Sequence, residues 1–206
     1  IATENNLKLT LGHSSNGNSA QKEVLLESHL FISYYQQQQI KFFFQELISS
    51  LQIISNRFLL ICREENLLNF PPGVKPAIYV YDKPETGNIF RKSLVFSAPS
   101  QLLIKRLKQK TPDLDNYYIV IDDIWQLLPG LNKRSGNSFK QLLMEGPASN
   151  VFCLIAGTLP YRNLLKQLMQ PDKKSFNSIG DEIIINPDDL IFFREKGQAE
   201  FESFYP

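Results

Sequence analysis

The sequence predicts an α/β domain: a mostly parallel sheet with helices on both faces and a β-hairpin at its amino-terminal end. Three observations lead there. Short apolar runs recur at His29–Tyr35, Arg57–Cys62, Ala77–Tyr81, Tyr117–Ile121 and Val151–Ala156, with little of the alternation that a half-solvated sheet imposes. Segments with helical apolar spacing lie between them. Ahead of the first run, LKLTLG and KEVLL flank a turn-rich stretch, His13–Ala20, that contains Asn16-Gly17, a hairpin signal.

The strongest helical pattern follows the His29–Tyr35 strand. Ile40, Phe43, Phe44, Leu47, Ile48 and Leu51 fall at helical spacing and form one continuous apolar stripe. Phe70–Gly73 reads as a loop and Asp82–Asn88 as a polar turn region. Ser97 with Pro99 in the first turn reads as a helix start. Leu103 and Leu107 mark its inner face, and Lys105, Arg106, Lys108 and Lys110 favour its carboxyl end. Pro129–Asn137 reads as a Gly-containing loop, Phe139–Met144 as a short helix and Arg162–Met169 as a further helix. After Pro171, EIIIN and LIFF read as short strands. The tail places Phe201, Phe204 and Tyr205 at helical spacing. There is no internal repeat, and residues 1–206 read as a single domain.

Composition narrows the function. With 43% apolar and 21% charged residues the chain is globular rather than disordered. A formal net charge of +1 gives no global basic field to attract nucleic acid. Lys105, Arg106, Lys108 and Lys110 read first as a solvated face, with phosphate-backbone contact as the alternative. Cys62 and Cys153 sit in apolar runs and read as buried thiols. With His13 and His29 they make no familiar metal-ligand spacing. No apolar run approaches the roughly 20 residues that span a bilayer, so no direct membrane contact is expected of this segment. The chain opens on Ile1 rather than Met, and the expectation is a piece of a longer protein.

Three segments could carry chemistry. A strand–loop–helix 1 unit comes first, with no glycine in its loop. Next, YYIVIDD ends an apolar run on Asp122 and Asp123, the acid spacing that holds magnesium and polarises water at a strand end; a solvated strand end is the plainer reading. Then VFCLIAGTLP ends a buried strand on small residues and proline.

In their order these segments resemble FtsK/SpoIIIE-type P-loop ATPase domains, across about residues 7–193. The resemblance rests on Leu11-Gly12, His29-Leu30-Phe31-Ile32, Asp122, Ala156, Pro160 and Asp189-Leu190-Ile191-Phe192. It implies a P-loop NTPase-like (RecA/FtsK-like) fold. The departures cluster at the phosphate loop, where the family's glycines give way to Tyr34, Tyr35, Gln36, Gln37, Gln38 and Gln39. The family's lysine falls on Ile40 and its hydroxyl residue on Lys41; sliding Lys41 by one position restores the charge but no glycine. A phosphate cradle needs positive-φ residues without side chains in the phosphate's path. Asp123 stands where the family has Glu, and Thr158 where its sensor has Gln. Arg134 and Arg162 read as surface residues, with an arginine-finger role as the alternative.

The resemblance therefore implies retired chemistry. No cofactor is expected in this domain; ATP and Mg belong to other domains of the parent. The branch it points to is the membrane-anchored EssC/EccC-type ATPase of bacterial type VII secretion, whose carboxy-terminal domains include degenerate copies. Implied partners are neighbouring ATPase domains of the same chain and small helical secreted substrates, on the cytoplasmic side of the membrane; DNA is not expected. A domain of a DNA translocase or conjugation-type motor is the alternative. An unrelated α/β domain with a coincidental strand–acid pattern is the third reading.

Overall fold

The computed structural model describes residues 7–14, 21–54, 58–62, 77–80, 97–108, 115–124, 128, 131, 133–158 and 178–205. Among them, ten strands form one sheet in the order β2-β1-β10-β9-β8-β3-β7-β6-β4-β5. The strands are β1 (Lys8–Ser14), β2 (Gln21–Leu25), β3 (His29–Tyr34), β4 (Phe58–Cys62) and β5 (Ala77–Val80). They continue with β6 (Tyr117–Ile121), β7 (Val151–Thr158), β8 (Gly180–Ile185), β9 (Ile191–Arg194) and β10 (Glu202–Tyr205). Strands β8, β3, β7, β6, β4 and β5 run parallel. β9, β10, β1 and β2 extend that sheet at one edge by antiparallel pairing.

Alternate residues of the central strands feed two cores, as the two-residue period of a strand requires. Leu30, Ile32, Tyr118, Val120, Leu154 and Ala156 face one side. Phe31, Ile119, Ile121, Cys153 and Ile155 face the other. The expected parallel sheet and amino-terminal hairpin are present, with a helix packed into each core.

Helix α1 (Gln37–Ile54) covers the first face. Its stripe packs into the core: Ile40, Phe44, Leu47, Ile48 and Leu51 are buried, and Phe43 packs half-buried beside them. The antiparallel strands add Leu9, Leu11, Ile191, Phe193 and Phe204 to the same core. The approach to β1 is tied across this face, where the Leu7 N–H donates to the Tyr118 hydroxyl at 3.2 Å. α1 has no Ser, Thr, Asp or Asn cap and no acid in its first turn. Its stability comes from burial, at about 1.5–3 kcal/mol per fully buried large apolar side chain.

Helices α2 (Ser97–Lys108) and α3 (Lys133–Glu145) pack together, and α3 supplies Phe139, Leu142 and Leu143 to the second core. The predicted start of α2 at Ser97 holds. α3, however, begins at Lys133, inside the stretch that reads as a loop. Its buried stripe continues backwards from Phe139 through Gly136 and Ser135. Small residues there carry no apolar signal, so the periodicity of the sequence starts too late.

The tail also differs from expectation. Phe204 and Tyr205 lie in β10, paired to β9 and β1, with Phe204 buried and Tyr205 exposed. Aromatics at i, i+3 and i+4 over five residues do not fix a period, and two open strand edges supply the hydrogen bonds that decide it. Phe201 carries the Arg194 guanidinium over its ring at 4.4 Å. Among the described residues, no helix is long and apolar enough to cross a membrane. The predicted helix at Arg162–Met169 and the turns at 16–17, 70–73 and 82–88 lie outside the described residues.

Candidate functional site at the carboxyl edge of the parallel sheet

The chain leaves β3 to build strands on one side of it, and returns from β7 to place β8 on the other. The carboxyl end of β3 is therefore a switch point, where open α/β sheets form their ligand crevice. The three segments singled out in the sequence meet at this edge. Tyr34 and Thr158 are register partners at the ends of β3 and β7. β6 ends on the pair Ile121–Ile155, so Asp122 stands two residues short of the Tyr34–Thr158 level, about 7 Å along the strand direction. One strand separates β6 from β3, which sets the acids about 10 Å to the side.

Both acids are buried. Asp122 is 1% exposed and its N–H donates to the Ile61 carbonyl, continuing the sheet one residue past β6. Asp123 takes a left-handed φ of 54° and turns the chain away from the strand. Thr158 is half-buried.

The positions that the resemblance assigns to the phosphate loop span the end of β3 and the start of α1. Tyr34, which the resemblance puts in the phosphate loop, is the last residue of β3 and fully buried. Tyr35, 52% exposed, and Gln36 are the whole connection. Gln37, Gln38 and Gln39 form the first turn of α1; Ile40 points into the core and Lys41 is exposed. A cradle of the Gly-x-x-x-x-Gly-Lys-Ser type needs a loop long enough to wrap a phosphate and glycines that clear its path. Here strand and helix are joined by two residues, neither of them glycine. The residues present do not fit a bound nucleoside triphosphate.

Gln39 gives this helix start a different use. Its Oε1 accepts the Gln36 N–H at 3.1 Å, the returning half of a capping box. Its Nε2 donates to Asp189 Oδ1 at 3.0 Å and to the Asn186 carbonyl. The turn it grips is itself fixed. Asn186 Oδ1 accepts the N–H groups of Asp188 and Leu190 at 3.0 and 2.8 Å, and Asp189 holds φ 63°. A carboxylate is thereby drawn to the positive end of α1, the place where a helix would otherwise receive an anion. The sequence singles out both Gln39 and Asp189, and Asn-Pro-Asp signals a turn, but nothing in their order announces that they meet.

The opposite, amino-terminal edge is held by His29. The Cys153 N–H donates to its Nδ1 at 2.9 Å, which leaves the proton on Nε2 to donate to the Leu143 carbonyl at 3.0 Å. Burial pushes the imidazole down to about 4, against the raising effect of the Leu143 carbonyl. His29 is thus a neutral structural link between β3, β7 and α3. Among the described residues no group of three or more metal-ligating side chains forms. Cys62 and Cys153 are both buried and form no disulfide. Burial pushes the Cys153 thiol up to about 12. Native protein at pH 8 should leave Cys153 unlabelled by a thiol reagent over hours while urea-unfolded protein is labelled in minutes, a difference mass spectrometry reads directly.

The basic helix face is broken up. Lys105 and Lys108 are exposed, but Arg106 is buried and donates to the carbonyls of Ser149 and Asn150 at 3.2 and 3.0 Å. It also lies over the Tyr117 ring. Arg134 is exposed at the start of α3; Lys110, Pro160 and Arg162 lie outside the described residues.

No family model matches the chain, and no curated protein does. Solved structures do. A structure of Thermomonospora curvata EccC, ATPases 2 and 3 in complex with a signal sequence peptide, matches all of this chain with a TM-score of 0.64 at 14% identity. EssC, ATPases 2 and 3, from Geobacillus thermodenitrificans matches 97% of it with a TM-score of 0.62 at 8% identity. The monomer form of the pCW3 conjugation coupling protein TcpA with ATPγS matches 97% with a TM-score of 0.62 at 12% identity. This chain spans 42%, 44% and 66% of those chains respectively. The fold is that of the EccC and EssC ATPase domains and of the TcpA coupling protein.

Proposed function

We propose that the chain is a non-catalytic FtsK/SpoIIIE-like module of a membrane-anchored type VII secretion motor, on the cytoplasmic side of a bacterial membrane. It binds substrates or regulates neighbouring ATPase domains of the same protein, and residues 1–206 act as one unit. One observation carries the reading: strand β3 passes into α1 through Tyr35 and Gln36 alone. No cradle for a phosphate can be made from two such residues. The Gln39 link to Asn186 and Asp189 supports the same reading, since it occupies the helix start with the protein's own groups. ATP and Mg then act in other domains of the parent.

A second reading, a module of a conjugation-type motor, draws on the fold shared with TcpA. The near-neutral charge and the inward turn of Arg106 weigh against a DNA-contacting surface. Calorimetric titration with ATP-Mg should give no saturable heat, corresponding to a dissociation constant weaker than about 1 mM. Saturable micromolar binding would overturn the proposal.

A further inference from the structure

We draw no further inference here: the strongest candidate, the groove between α1 and β1 beside the β8–β9 turn, carries none because nothing in the structure shows what covers it.

Discussion

Gly180→Ala should lower stability by about 3 kcal/mol, read as a fall in the urea midpoint at constant slope. A Cβ at this position would stand 2.5 Å from the His29 carbonyl oxygen, 2.7 Å from Phe31 Cε2 and 2.9 Å from the His29 carbonyl carbon. Two of these atoms are backbone, in the partner strand of a parallel ladder that pairs His29 with Gly180 directly. The backbone there has little room to yield. Ser28 bridges the same strands, donating to the His29 carbonyl and accepting the Asp181 N–H. His29 is held from the far side by Leu143 and Cys153. Gly197→Ala is the control: its Cβ would meet no atom within 4 Å, and only the φ of 84° is strained. That substitution should cost about 1 kcal/mol. Equal losses from the two would show that β3 and β8 do not approach this closely.

The second large effect is acid sensitivity. His29 has its pKa depressed to about 4 in the folded state by burial, against an ordinary value of 6.5. Between those values the unfolded chain binds a proton that the folded chain refuses, so stability falls as pH falls. The contribution is fully present above pH 6.5 and is lost progressively towards pH 4, amounting to about 3 kcal/mol. Urea midpoints measured from pH 7.5 to 4 should decline across this window. His29→Gln removes the titrating group, and its variant should be less stable at pH 7 yet show a flatter decline. A variant with the wild-type pH profile would assign the acid sensitivity to other groups.

How far the sequence announces all this depends on the kind of signal. β3, β6 and β7 are legible because strands buried on both faces are dominated by apolar residues. α1 is legible because one stripe carries its burial, from Ile40 to Leu51. The early start of α3 is not, since Ser135 and Gly136 are buried for being small. β10 is not, since its state is decided by the edge of β9 and by that of β1, which lies at the opposite end of the chain. At the candidate site, the run of glutamines without a glycine is plain in the sequence, and so is the acid pair. The shortness of the β3–α1 connection is hidden, because nothing in a run of four glutamines says where the helix begins. The Gln39 link spans 147 residues to Asn186, and no local pattern encodes such a contact.

We propose a start of α1 that is closed to phosphate by the chain's own groups. Hydrogen exchange at the backbone amides of Gln36–Lys41, followed with and without millimolar ATP-Mg, tests it where the nucleotide would have to sit. Identical exchange is expected under both conditions, set by the Gln39 cap and by the helix itself. Nucleotide-dependent protection of these amides would contradict it.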